Sequence, residues 1–230
     1  MTIGLRNTMK QLFSLILFCK QIQVPFEVYA FKDTGAENPF DAGTKQNVLK
    51  CGTVVLRNFI SSRMNITELN EAMTYLWYVS HPYARSYKDQ MGGTPLNEAI
   101  ILAPKVINEF RAKHKLEIVN TVFLTDGEGN GFGGVDNQTY EGSGWRRTRK
   151  FFYTDKEIGK TIDLDPYGWG SSSSNTANLL KLLKEKTECN LIGFYLMSES
   201  FNWFARRFNL NYGSAEYLAK VKKFYNDNKF

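Results

Sequence analysis

The chain has 230 residues, of which 43% are hydrophobic and 14% aromatic, and its formal net charge is +6. This length fits one large domain, residues 1–230, and the apolar and aromatic content excludes an intrinsically disordered chain. The modest, dispersed charge argues against a nucleic-acid groove, and no apolar stretch approaches the length of a membrane span, so we expect neither nucleic acid nor membrane as a partner.

Cysteine usage indicates the compartment. Cys19, Cys51 and Cys189 are far apart and show neither the spacing of a zinc site nor that of a disulfide scaffold. Reduced thiols of this kind are typical of intracellular proteins, so we expect a cytoplasmic protein.

The first predicted element is a helix over residues 3–21, whose apolar residues form one continuous face. Its basic and then apolar start has the outline of a signal peptide, but no small-residue cleavage site follows. Residues 26–31 alternate and are rich in strand formers. A helix leading directly into a strand is half of a βαβ unit, so we expect a preceding strand, which the sequence lacks.

Two helices and one strand follow. The pattern of residues 53–60 predicts a second strand, antiparallel at the sheet edge. Residues 65–79 are predicted to form a helix capped by Asn65. A third helix is predicted to begin at Thr94, whose hydroxyl would cap it before Pro95, and to run to about residue 113.

The central strand is predicted over residues 118–124, because this run is apolar on both sides of the pleat. It ends at Thr125, Asp126 and Gly127, which places a carboxylate at the carboxyl end of the strand. In open α/β sheets ligands bind at that edge. A simple tight turn is the alternative interpretation of the Asp-Gly pair.

The remaining pattern favours an α/β fold. Residues 147–165 read as an inserted hairpin, and residues 166–174 as a loop whose serines cap a helix over 175–186. A strand over 190–196 and helices over 199–209 and 214–226 complete the chain. Alternating helices and apolar strands predict an open, mostly parallel, Rossmann-like sheet with helices on both faces.

Few residues carry a pattern that indicates chemistry. A phosphate loop is excluded because Thr154 stands where its first glycine is required, and a calcium loop is weakened by Asn137 at its twelfth position. Thr94 and Asp126 remain, both predicted on the same rim. A hydroxyl and a carboxylate are hard oxygen donors that suit magnesium. Two ligands are too few, so further oxygens are expected from the first strand-to-helix loop.

The two motifs resemble those of a von Willebrand factor type A (VWA) domain. Residues 92–96 (Gly-Gly-Thr-Pro-Leu) and 124–127 (Leu-Thr-Asp-Gly) are similar to the second and third motifs of that family. The resemblance runs to about Leu196. It implies a metal-ion-dependent adhesion site (MIDAS) in which Thr94 and Asp126 join an Asp-x-Ser-x-Ser motif of the first loop.

Within that family the chain most resembles CobT-type domains, relatives of a cobalt chelatase subunit found in bacteria and tailed bacteriophages. The resemblance lies in residues 9–13, 18–20 and 24–31. In such relatives an Asp-x-Ser-Gly-Ser-Met motif directly precedes this helix, and Met1 stands at the place of its methionine. We therefore expect Met1 to be an internal methionine of a longer protein, with the first strand and first motif encoded upstream.

The resemblance implies a non-catalytic interaction module. Its expected partners are an AAA+ ATPase of the CobS or MoxR kind and an acidic residue that completes the coordination of magnesium. With only Thr94 and Asp126 as ligands, we expect weak magnesium binding or none. The alternatives are a subunit of a cobalt or magnesium chelatase complex and a metal-free structural α/β domain, in which Asp126 is only a turn residue.

Overall fold

A computed structural model of the chain describes residues 2–33, 54–81, 89, 94–125, 129, 151–164, 171–195, 201 and 214–228. The chain forms two compact units, Met1–Leu196 and Met197–Phe230. Every described strand belongs to the first unit, which is also the part of the chain that the VWA resemblance covers.

The first unit contains four helices and six strands among its described residues. The helices are α1 (Thr2–Gln21), α2 (Ile66–Val79), α3 (Leu96–His114) and α4 (Ser171–Thr187). The strands are β1 (Glu27–Asp33), β2 (Val54–Ser61), β3 (Asn120–Thr125), β4 (Phe151–Asp155), β5 (Lys160–Leu164) and β6 (Asn190–Tyr195). Across the described ranges, no helix combines the length and the apolar character needed to cross a bilayer.

The described strands pair two by two. β1 and β2 are antiparallel, β4 and β5 form an antiparallel hairpin, and β3 and β6 are parallel, with Asn120 opposite Asn190. The predicted α/β class, the antiparallel strand after β1 and the inserted hairpin are thus confirmed. A mostly parallel sheet is confirmed only in part, since the β3–β6 pair is the parallel one among these three.

Helices cover both faces of β1. Phe31 packs against an apolar cluster, here named the α3 cluster, while Val28 and Ala30 pack against a second, here named the α1–α2 cluster. Side chains of a strand point alternately to opposite faces, so these two clusters lie on opposite sides of the strand. The buried members of the α3 cluster are Leu96, Ile100, Ala103, Ile107, Val119, Ile162, Leu164, Leu179, Leu182, Leu183 and Cys189. Those of the α1–α2 cluster are Met9, Ile16, Phe59, Ile60, Leu69, Leu76 and Val79.

The start of α2 agrees with the sequence pattern. The Asn65 side chain accepts hydrogen bonds from the backbone N–H groups of Thr67 (2.9 Å) and Glu68 (3.0 Å), and the Glu68 carboxylate accepts one from Asn65 N (2.9 Å). This reciprocal arrangement is a capping box, which satisfies N–H groups that the first turn of a helix leaves unpaired. Asn65 is therefore confirmed as the cap.

The start of α4 differs from the prediction. Residues 171–174 were expected to be a loop with capping serines, but the helix already includes them. Serine competes for backbone hydrogen bonds and so favours caps and turns over helix interiors. Here the burial of Leu179, Leu182 and Leu183 stabilises the helix that these serines begin.

A buried ion pair attaches the β4–β5 hairpin to α4. Lys186 Nζ lies 2.8 Å from Asp155 Oδ2 and 2.7 Å from Glu157 Oε2, and Asp155 also accepts a hydrogen bond from Glu157 N (2.9 Å). The hydrogen bond from Lys186 lowers the pKa of Asp155, and the same bond raises the pKa of Lys186. Both side chains are largely withdrawn from solvent, so removing either partner would leave the other charge buried without its counter-ion, which costs more than the same loss at the surface.

The second unit has one described helix of substantial length, α5 (Ala215–Asn228). Ser214 Oγ accepts a hydrogen bond from Tyr217 N (3.2 Å), so this helix begins where the sequence predicts it. An exposed pair between Lys220 and Glu216 (2.7 Å) lies on its surface one turn apart. The other predicted terminal helix, residues 199–209, lies outside the described residues except for Phe201, which is helical.

We expect Asp155→Asn to lower the free energy of unfolding by about 2 kcal/mol at pH 7, because Lys186 would lose its buried charged partner. The Asp155 pKa is lower in the folded chain than in the unfolded one, so its contribution is present above about pH 4 and is lost as the pH falls through the folded pKa. Urea unfolding at pH 7 and at pH 3 measures both effects, and the variant should differ least from the parent at pH 3.

The matched control is Asp163→Asn, which removes an exposed carboxylate from the same hairpin. We expect it to change stability by less than about 0.5 kcal/mol. Equal effects of the two substitutions at pH 7 would contradict the role assigned to the Asp155–Lys186 pair.

Candidate functional site

Thr94 lies immediately before α3 and is half-buried. Pro95, not Thr94, occupies the N-cap position, with φ −76° and ψ 56°. The Thr94 carbonyl accepts a hydrogen bond from Leu96 N (2.8 Å), and these features together describe an inverse γ-turn centred on Pro95. The prediction that the Thr94 hydroxyl caps the helix is therefore wrong. The helix begins at Leu96, so Pro95 occupies the N-cap position and Thr94 lies one residue before it.

The Thr94 hydroxyl is consequently not used to start the helix. It has no hydrogen-bond partner in the part of the chain that the structure describes. A hydroxyl oxygen carries two lone pairs that can accept a hydrogen bond or bind a cation. The chemistry predicted for Thr94 is therefore compatible with its position.

Asp126 lies outside the described residues, but residues on both sides of it are described. Thr125 ends β3, and Gly129 is buried against the start of α3. A methyl group built on Gly129 would lie 3.3 Å from Leu96 Cβ and 3.4 Å from Asn97 Oδ1. The chain therefore returns to the start of α3 within four residues of the end of β3. That Thr94 and Asp126 share one rim stays a prediction, and this return supports it.

The first turns of α4 meet the same place. Thr176 Oγ1 donates a hydrogen bond of 2.6 Å to Asn97 Oδ1 and would lie 3.4 Å from a methyl group on Gly129. Asn97 and Asn175, the α4 residue directly before Thr176, are both buried almost completely. We name this meeting point of α3, α4 and the loop after β3 the polar rim; its described members are Thr94, Asn97, Gly129, Asn175 and Thr176.

Asp89 anchors the segment that leads to Thr94. Its two carboxylate oxygens accept hydrogen bonds from Arg57 on β2 and Tyr75 on α2, and its side chain is buried. Burial alone would raise the pKa of Asp89, but the hydrogen bonds from Tyr75 and Arg57, together with the charges of Arg57 and Lys32, lower it. Asp89 is thus held as a carboxylate, and it fixes the chain five residues before Thr94 to β2 and α2.

Sequence reasoning did not identify Asn97, Gly129, Thr176 or Asp89. For Asn97 the signal was weak, because it lies at the margin of the apolar face that Leu96, Ile100 and Ala103 form and not within it. Thr176 and Asp89 carried no comparable signal. Their partners lie 79 and 32 residues away in the chain, and no local pattern reports such distant contacts.

The donor set fits magnesium only in part. Thr94 and Asp126 supply oxygen, the element that magnesium prefers, whereas the Asn97 and Thr176 oxygens already bind each other. Among the described residues no three His, Cys, Asp or Glu side chains form a group that could hold a metal ion. A complete site therefore requires oxygens besides those of the polar rim.

No protein-family model, curated protein or solved structure matches this chain. The resemblance to VWA domains thus depends on the two sequence motifs themselves. The geometry of the polar rim is a separate observation, since it comes from the packing of α3, α4 and the loop after β3.

We expect Gly129→Ala to lower the free energy of unfolding by about 1 kcal/mol, because its methyl group would crowd Leu96, Asn97 and Thr176 at the polar rim. Urea unfolding measures the difference. Gly193→Ala is the matched control, since a methyl group on that strand glycine would meet nothing within 4 Å. Equal destabilisation by both substitutions would show that the loop after β3 does not pack against α3 as described.

Proposed function

We propose that this chain is a metal-dependent protein–protein interaction module of the VWA type, similar to CobT, and that it is not itself a catalyst. Its partner in this proposal is an AAA+ ATPase of the CobS or MoxR kind in the cytoplasm. The module transmits ATP-driven remodelling from that ATPase to a client protein.

The observation that supports this proposal most strongly is the meeting of two chain segments at the polar rim. Thr94 is the first residue of the γ-turn that starts α3, and the chain lies against the first turn of the same helix at Gly129, three residues after Asp126. These are the two motifs whose sequences resemble the second and third motifs of a MIDAS. A hydroxyl and a carboxylate brought to one rim are what such a site requires.

The residues of the chain have distinct roles in this proposal. Asp126 and Thr94 would hold magnesium through their side-chain oxygens. The Asn97–Thr176 hydrogen bond keeps the starts of α3 and α4 together, and Gly129 lets the loop approach them closely. Bound magnesium would supply a positive charge that attracts an Asp or Glu of the partner.

A metal-free structural domain is the competing proposal. The Asn97–Thr176 bond supports it, because this bond satisfies buried polar groups at the rim without any cation. The two proposals differ in what Asp126 does: it is either a ligand or a turn residue. Substitution of Asp126 therefore separates them.

We expect the 230-residue chain alone to bind magnesium weakly or not at all, with a dissociation constant above about 1 mM, because two protein ligands hold too little charge to displace the water of the ion. A calorimetric titration with magnesium chloride measures this. Tight binding by the chain alone would contradict the proposed need for oxygens from a first motif.

In a protein that also carries an upstream Asp-x-Ser-x-Ser motif, we expect Asp126→Ala to weaken magnesium-dependent binding of a CobS-type ATPase at least tenfold. Thr94→Val should weaken it as well, since valine keeps the shape of threonine but lacks the hydroxyl. The measurement is the binding affinity of each variant for surface-immobilised ATPase, with magnesium and after its removal by EDTA. Urea unfolding without metal shows whether the variants keep their stability.

Glu128→Ala is the matched control, because it removes the same charge only two positions along the sequence. It should keep partner binding within about twofold of the parent. If Asp126→Ala lowers stability but leaves magnesium-dependent binding intact, Asp126 is a turn residue and the metal-free domain is the correct assignment.

A further inference from the structure

Pro104 lies inside α3 and leaves one carbonyl group of that helix without its usual donor. Proline has no backbone N–H, so Pro104 donates no hydrogen bond to the carbonyl oxygen of Ile100, four residues earlier. Ile100 is 0–1% exposed at most, with 1% of its surface accessible, so bulk water does not replace that donor. Because buried backbone carbonyls are almost always hydrogen-bonded, this one requires a donor from outside the regular helix.

A small cavity, here named the Pro104 cavity, lies beside this part of α3. Ile100, Ile101 and Pro104 line it from α3, Asp155 lines it from β4, and Lys186 lines it from α4. A helical carbonyl points along the axis toward the residue four positions later. The Ile100 carbonyl therefore points toward Pro104, and both of these residues line the cavity.

Lys186 supplies a hydrogen-bond donor at the same cavity. Its ammonium group has three N–H donors, and two of them have carboxylate acceptors, Asp155 Oδ2 at 2.8 Å and Glu157 Oε2 at 2.7 Å. Among the described residues no acceptor lies within reach of the third N–H. Asp155 Oδ2 accepts one hydrogen bond, from Lys186, and so keeps a lone pair that can accept another.

The size and the lining of the cavity both indicate water. Its volume is about 10 Å³, close to the lower limit of about 10–15 Å³ for one water molecule, and far too small for an organic ligand. Cavities that stay dry are lined by apolar groups, whereas Asp155 and Lys186 both reach this one. A buried water molecule typically makes two to four hydrogen bonds to polar groups that otherwise lack partners.

We propose that one ordered water molecule occupies the Pro104 cavity and joins three elements of the first unit. The water donates one hydrogen bond to the Ile100 carbonyl and one to Asp155 Oδ2, and it accepts one from Lys186 Nζ. It thereby replaces the donor that Pro104 removes from the helix, and it connects α3 to both the hairpin and α4. No metal ligand takes part, so the proposal does not depend on the assignment of a MIDAS.

A crystal structure of the full chain, at a resolution that shows ordered water, tests the proposal. We expect an electron-density peak within hydrogen-bonding distance, about 2.7–3.2 Å, of Ile100 O, Lys186 Nζ and Asp155 Oδ2. Contact of the peak with Ile100 O and with at least one atom of the ion pair supports the proposal. An absent peak, a peak that does not contact Ile100 O, or a direct hydrogen bond from Lys186 to Ile100 O overturns it.

Pro104→Ala tests the role of the missing N–H. Alanine restores a donor to the Ile100 carbonyl, so the water loses one of its three partners, and we expect its occupancy in the crystal to fall at least twofold. Lys105→Ala is the matched control, because it changes the next residue of α3, which is exposed, and keeps every backbone N–H. An unchanged water in Pro104→Ala, still bound to Ile100 O, would overturn the proposal.

Lys186→Met tests the donor from α4. We expect this variant to lose the water, whereas Lys184→Met, which removes an exposed lysine from the same helix, should keep it. Retention of the water at full occupancy in Lys186→Met would show that Lys186 is not its donor and would contradict the proposed geometry. Urea unfolding shows whether each variant is folded, and the comparison of Pro104→Ala with Lys105→Ala decides the proposal where Lys186→Met does not fold.

Discussion

The burial of one face of α3 is the contact on which the rest of the first unit depends. The apolar face of α3 packs against residues of α4 and β5, against Val119 just before β3, and against Phe31 of β1. The buried residues of that face are Leu96, Ile100, Ala103 and Ile107. Leu96 is the last residue of the γ-turn centred on Pro95, and Thr94 is its first, so the packing of the helix also determines where Thr94 lies. The position of the candidate site is therefore a consequence of core packing.

Most helices and strands could be predicted from local pattern. α1, α2, β2 and the hairpin follow from apolar periodicity, β-branched runs and the Asn65 cap, all of which act within a few residues. The start of α4 could not, because serines favour caps locally while the burial of Leu179, Leu182 and Leu183 favours a longer helix. The partner of β3 also escaped local reasoning, since β3 and its parallel partner β6 are separated in the chain by the hairpin and α4.

The sequence predicts which residues supply the chemistry of the candidate site, but not the contacts that position them. The motifs name Thr94 and Asp126, yet the backbone carbonyl of Thr94, rather than its hydroxyl, accepts the first N–H of the helix. Pro95 causes this difference, since its fixed φ is compatible with a γ-turn as well as with a first helical residue. The supporting residues Asn97, Thr176 and Asp89 depend on contacts between elements distant in the chain, which spacing alone does not encode.

The alternation of side chains along β1 has a consequence for how the first unit melts. Phe31 contributes to the packing on one side of this strand, while Val28 and Ala30 contribute to that on the other. If β1 frays, Phe31 leaves the α3 cluster while Val28 and Ala30 leave the α1–α2 cluster. The stability of each cluster therefore depends on that of the other. The seven residues of β1 therefore make the two clusters unfold cooperatively, in one transition.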